Sequence, residues 1–435
     1  MLDELRQAAA RQRTAFSMRS LIRGCRRLLS ERGESNSMAI AHELVERLDT
    51  LADDQLGEFF DYLASSLSPD PKAALAAAQA YADKPDARHQ ILLSQASEAP
   101  RQELFRRLNR SPGGTAVLVR IRRELLRRLP KQPELLAVEA DMLHLLTSWF
   151  NPGFLQMRRV DWNSPARLLE KIIHHEAVHA IDGWDDLRRR LQPDRRCFAF
   201  FHPRLPEEPL IFVEVALSGE VPQAIAPLID KDSTPLHGER FRVAAFYSIS
   251  NCEPGLRSVS LGNFLIKSVA QQLQSELPRI RTFCTLSPVP TFARWLLGEP
   301  VFAALPNLRR NVAGDFEDAR EHLRRLCGGD LSALQGASIH QQMDAEADAA
   351  LLTLCSAYLL HVSPTPAGDP VARFHLDNGA RLERLNARGN MSPHGLKQSF
   401  GVMVNYLYDL NKIEASHEKF VNGEVARSRA VHTLM

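Results

Sequence analysis

The apolar pattern of this chain changes character once, at Asn151-Pro152-Gly153, and that switch confines it to a two-part α+β architecture. Before it, apolar residues recur three and four apart. Ile40, Leu44, Leu48, Leu51, Leu56, Phe59, Phe60 and Leu63 line up this way. Ser68-Pro69-Asp70-Pro71 and Ser111-Pro112-Gly113-Gly114 are stop-and-restart signals. Helices are expected over 73–82, 102–108, 117–129 and 133–145. After the switch, short runs over 197–201, 210–216, 243–250 and 281–286 read as strands, with a helix over 261–277 between the last two. Such strand–loop–helix–strand alternation predicts a mixed α/β domain. Residues 305–360 return to helix. The expected domains are a helical bundle over 1–152 and a mixed domain over 153–435.

Charge and cysteine content exclude several classes. Lys+Arg (54) nearly balance Asp+Glu (52), so no global field recruits nucleic acid or an anionic membrane. The six cysteines form no CxxC pair, which argues against a disulfide framework and a structural zinc site. The longest apolar run, 349–362, is interrupted by Thr353, Ser356 and His361 and reads as too short to span a bilayer. The N-terminus is Arg-rich, but Asp3 and Glu4 speak against a transit peptide. Leu2, Leu5, Ala9 and Phe16 suggest an amphipathic helix instead, and the expected location is cytoplasmic.

Four segments carry residue types suited to chemistry. His175-Glu176-Ala177-Val178-His179 is an HExxH which, on a helix, would offer zinc two imidazoles and a glutamate base. Its extension carries Asp182 and Asp185 where a metzincin needs Gly and His, leaving Glu207, Glu208 or Glu214 as a third ligand. Arg257-x-x-Ser260-x-Gly262 joins a strand to a helix. It approximates the loop by which GNAT-type acyltransferases hold coenzyme A, and equally an ordinary βα connection. Ser287, ahead of Pro288 and Pro290, begins a rigid extended turn at a strand's end. His375, in Phe374-His375-Leu376, suits either a core position or proton transfer.

Taken in order, these segments resemble the malonyl-CoA decarboxylase family. The likeness runs through Trp162-Asn163-Ser164-Pro165, Glu176-Ala177-Val178-His179, Arg195-Arg196-Cys197, Val215-Ala216-Leu217-Ser218-Gly219, 246–250, 261–267, 286–290, 374–380 and Asn405-Tyr406-Leu407-Tyr408. It implies a helical oligomerisation domain followed by a GNAT-like catalytic domain, no metal or organic cofactor, and malonyl-CoA as substrate. By motif, Ser287 and His375 are the catalytic pair. Arg257, Ser258, Val259, Ser260, Leu261, Gly262 and Asn263 form the acyl-CoA loop, and Ser248, Tyr408 and Glu176 support the pocket. Ser287 either orients the malonyl carboxylate or accepts a proton. Animal members carry a glutamate where this chain has Ser260, lack the first histidine of the HExxH, and differ at Arg373 and Asp377. A GNAT-type acyl transferase, a zinc peptidase and a non-catalytic CoA sensor are the alternatives.

Overall fold

The computed structural model describes residues 18–259, 261, 265–308 and 312–434. The expected helix at Leu2–Phe16 lies outside them. Two compact units emerge: the described residues of Met1–Gln156 with Phe201–Leu210 and Glu253–Ser260, and those of Met157–Phe200, Ile211–Cys252 and Leu261–Met435.

The first unit is built on helices: 18–30, Glu34–Asp49, Asp53–Ser65, Pro71–Asp83, Ala87–Ser97, Pro100–Arg110, Gly114–Arg128 and Leu136–Trp149. Leu44, Leu48, Phe59, Phe60, Leu63, Phe105, Ile121 and Leu125 fill one core, each contributing about 2 kcal/mol by leaving water. Both restart signals work as chemistry requires. Asp70 accepts from the Lys72 N–H at 2.9 Å ahead of Pro71, and a Cβ on Gly114 would meet the Leu108 carbonyl oxygen at 1.9 Å. The helix Ala87–Ser97 was not anticipated. It and Pro71–Asp83 bury no residue, so neither needs an apolar stripe, and Leu75, Ile91 and Leu92 stay exposed.

The second unit carries an eight-stranded mixed sheet. Its strands are β1 (Gln156–Val160), β2 (Arg195–Phe201), β3 (Ile211–Ser218), β4 (Val243–Asn251), β5 (Thr282–Thr285), β6 (Ser287–Pro288), β7 (Arg381–Asn386) and β8 (Met403–Tyr408). The order is β1-β2-β3-β4-β5-β8-β6, with β7 also on β8. β2, β3 and β4 run antiparallel, whereas β4 and β5 are parallel and joined by the crossover helix Leu265–Glu276.

The β4–β5 pairing ends early. Phe246 pairs with Thr285, and the Leu286 N–H bonds the Phe246 carbonyl at 2.9 Å. Beyond that point β4 continues along β3 to Asn251, while the chain after Thr285 continues along β8, where Ser287 pairs with Val404. The two lines of backbone therefore fork. Ser248 stands two residues past the last pair on one arm and Ser287 two residues past it on the other, and the β3–β4 register shifts within Phe246–Ser248, so alternation is broken on the Ser248 arm.

One expectation needs correction. Helix Ala345–Ala357 runs on through a π-turn, Tyr358–Val362, to make 18 residues of mean hydropathy 1.2, long and apolar enough to cross a membrane. In the fold it is a core helix, 67% buried: Leu351, Leu354, Cys355 and Tyr358 are all covered by protein.

Candidate active site

Ser287 and His375 are 88 residues apart in sequence and in contact in space. Ser287 is fixed by its pairing with β8. His375 rides on the helix Pro370–Asp377, which Asp369 caps and Pro370 opens. The Ser287 hydroxyl lies 3.0 Å from His375 Nε2, and both residues are buried, at 5% and 3% exposure. On the far side of the ring, Nδ1 lies 2.8 Å from the Tyr408 hydroxyl, and the Tyr406 ring stacks on the imidazole at 4.7 Å.

Hydrogen-bond direction fixes the tautomer. Ser287 donates its hydroxyl hydrogen to Thr285 Oγ1 at 2.9 Å, and that oxygen also accepts from the Tyr406 N–H at 3.2 Å. Ser287 must therefore accept from His375, so Nε2 carries the hydrogen and Nδ1 accepts from the Tyr408 O–H. Burial alone pushes the imidazole down to about 3, so the ring is neutral near pH 7. Burial also pushes the Tyr408 phenol well above its ordinary value. The result is a dry chain of neutral groups, Tyr408 to His375 to Ser287 to Thr285.

Glu176 and Ser248 form a second cluster. The Ser248 hydroxyl donates to the Glu176 carboxylate, 2.8 and 2.7 Å from its two oxygens, and Ser250 donates to it at 3.2 Å. The N–H groups of Val178 and His179 each donate to Glu176 Oε1 at 2.8 Å. This corrects the helical reading of the HExxH. The helix Ala166–His175 stops at the first histidine, Glu176 leaves it in an extended conformation, and the carboxylate folds the following turn onto itself. His175 and His179 thus do not share a helical face, and Glu176 is committed to four donors. Among the described residues no group of three or more His, Cys, Asp or Glu is arranged to hold a metal ion.

The acyl-CoA loop is described in part. Arg257, Ser258 and Val259 follow the 3-10 turn Pro254–Leu256 in the first unit, and Ser258 adopts φ 69°. The turn is pinned there: the Gly255 carbonyl accepts from Arg122 at 2.6 Å, and a Cβ on Gly255 would lie 2.1 Å from the Val119 carbonyl oxygen. Leu261 is buried and belongs to the second unit. Ser260, Gly262 and Asn263 lie outside the described residues.

Sequence reasoning passed over Thr285, Tyr406 and Asp369. The Asp369-Pro370 pair is a helix-start signal that would have placed His375 on a first helical turn and a half. Thr285 and Ser287, two apart on an extended segment, share a face by strand alternation.

Comparison with known proteins finds relatives in sequence and in structure. Residues 153–435 match the model of the malonyl-CoA decarboxylase C-terminal domain, and 67–150 that of the N-terminal domain. The mitochondrial malonyl-CoA decarboxylase of Anser anser anser is 38% identical over 326 residues, covering 71% of this chain and 63% of that protein. That of Mus musculus is 36% identical over 331 residues, covering 71% and 65%. The chain thus spans just under two thirds of the length of these curated relatives. Crystal structures of malonyl-CoA decarboxylases from Rhodopseudomonas palustris (44% identity, TM-score 0.82, 96% of this chain and 99% of that one) and Agrobacterium vitis (43%, 0.81, 95% and 99%) superpose over nearly the whole fold. With both family domains matched in order, this chain belongs to the malonyl-CoA decarboxylase family.

Proposed function

We propose that this chain decarboxylates malonyl-CoA to acetyl-CoA and carbon dioxide, with Ser287 and His375 acting on the malonyl group and no metal or organic cofactor. The observation that carries the reading is the buried 3.0 Å contact between these two side chains at the fork of the sheet. Loss of CO2 breaks the bond between the α-carbon and the carboxylate carbon. The electron pair passes into the thioester enolate, whose oxygen needs fixed donors. A poorly solvated site favours neutral CO2 over the carboxylate. Ser287 turns its hydroxyl hydrogen from Thr285 to the malonyl carboxylate and orients it. The arriving negative charge favours protonation of the neutral His375, which then delivers that proton to the enolate carbon and returns to its resting state. One proton is taken from solvent per turnover.

The loop Arg257–Asn263 is our proposed holder of the coenzyme A part, by its resemblance to the family's acyl-CoA loop. Ser248, held by Glu176, lines the opposite arm of the fork. Assembly into a homo-oligomer through the helical unit completes the reading. It is supported by the paired helices Pro71–Asp83 and Ala87–Ser97, which leave Leu75, Ile91 and Leu92 exposed. Light scattering should report a smaller particle for Leu75→Asp/Ile91→Asp. A cytoplasmic location is proposed with it, supported by six cysteines that form no disulfide among the described residues.

Incubation with malonyl-CoA alone, chelator present, is the test. Equimolar acetyl-CoA and CO2 are expected. A requirement for an amine acceptor would make the chain a transferase, and loss of activity to the chelator would restore a metal mechanism.

A further inference from the structure

We infer that Asp369 is a positioning residue that sets the separation of Ser287 and His375 by tying together the two chain segments that carry them, an inference that rests on the catalytic reading of that pair. Asp369 is wholly buried and uses its two carboxylate oxygens on different elements. Oδ1 accepts from the N–H groups of Val371 and Ala372, at 2.9 and 3.0 Å, and so caps the helix that carries His375. Oδ2 accepts from Thr291, from its N–H at 3.1 Å and from its hydroxyl at 2.9 Å. With the Thr291 hydrogen spent on Asp369, the Tyr358 hydroxyl donates to Thr291 Oγ1 at 2.6 Å, and Tyr358 opens the π-turn Tyr358–Val362.

Both lines from the carboxylate to the reacting groups are stiff. Thr291 is joined to Ser287 through Pro288, Val289 and Pro290. The prolines fix their own φ and restrict the residues before them, and Val289 is wholly buried. In the other direction, His375 follows Asp369 by six residues on one continuous helix. Capping alone does not require this arrangement, because Ser, Thr or Asn caps a helix as well as Asp does. Only a carboxylate offers two acceptor oxygens with no competing N–H. The second oxygen reaches 78 residues back along the chain, to the segment that presents Ser287. A displacement of about 1 Å between reacting groups can cost about a hundredfold in rate, which is the scale on which such a clamp acts.

The test uses the full chain and three substitutions. Asp369→Asn keeps a capping oxygen but points an amide N–H at the Thr291 N–H, and Thr291→Val removes the hydroxyl at constant shape. Thr291→Ser keeps every bond. The clamp predicts that kcat on malonyl-CoA falls roughly ten- to hundredfold in Asp369→Asn and less in Thr291→Val, with KM within about twofold, while Thr291→Ser matches wild type. Nitrogen-15 spectra of the histidines supply a readout independent of turnover: the His375 Nε2 resonance moves in Asp369→Asn and Thr291→Val and stays put in Thr291→Ser. If Asp369→Asn does not fold, the Thr291 pair decides. Wild-type kcat and an unmoved His375 resonance in folded Asp369→Asn would overturn the clamp, as would equal losses in Thr291→Ser and Thr291→Val. If the wild type leaves malonyl-CoA unchanged, the catalytic reading has failed, and the histidine spectra still judge the clamp.

Discussion

Glu176 and His375 are both buried over the same sheet, yet their surroundings differ in kind. The Glu176 carboxylate is met by two hydroxyls and two backbone N–H groups, so its charge is answered within the fold. His375 is neutral, stacked on a ring and strung between two hydroxyls, with no charged partner among the described residues. A saturated cluster holds architecture. A neutral imidazole in a dry place waits for a charge to arrive. The segment with the most recognisable motif thus serves as scaffold, while two residues with weak local signals form the proposed reactive pair.

The largest effect should come from breaking the neutral chain. Ser287→Ala and His375→Gln are each expected to fold and to lose about 10²- to 10⁴-fold in kcat, measured by acetyl-CoA formation. Near-normal turnover in either variant would remove that residue from the mechanism. Breaking the saturated cluster should show the opposite balance. Glu176→Gln leaves buried donors facing an amide and is expected to cost about 3 kcal/mol of stability in denaturant unfolding. Its kcat per folded molecule should fall only about tenfold, through displacement of Ser248.

Acidification should sharpen the contrast further. His375 titrates near 3 in the folded protein against an ordinary 6.5, so between those values the unfolded chain binds the extra proton. The stability gained by burying neutral imidazole is complete above about pH 6.5 and is lost as pH falls toward 3. Burial lowers His179 in the same direction, to about 4. Relative to His375→Gln, the wild type should therefore lose about 2 kcal/mol between pH 7 and pH 5. Unfolding midpoints that move in parallel across that range would contradict a buried neutral ring.

Much of this layout was legible in residue order, for identifiable reasons. The helical core of the first unit follows from apolar spacing. β2 to β5 stand out because they are short apolar runs between turn residues. β7 escaped notice because Arg381, Glu383 and Arg384 fill partly exposed positions, which reads as loop or helix surface. β8 has five of its six residues buried and so lacks the two-residue alternation of a half-exposed strand. The HExxH misled for a different reason. Its helical propensity carries through to His179, but the tertiary pull of Ser248 and Ser250 on Glu176 ends the helix at His175. Ser287, His375 and Tyr408 were found by resemblance. Their contact depends on the fork and on an 88-residue closure, neither of which any local pattern encodes.

Release of labelled CO2 from carboxyl-labelled malonyl-CoA, compared between wild type and His375→Gln at saturating substrate with chelator present, probes this account most directly. Rapid release by the wild type, with a loss of at least about a hundredfold in the variant at undiminished substrate affinity, is the result it predicts. Equal release by both proteins, or release by neither, would contradict it.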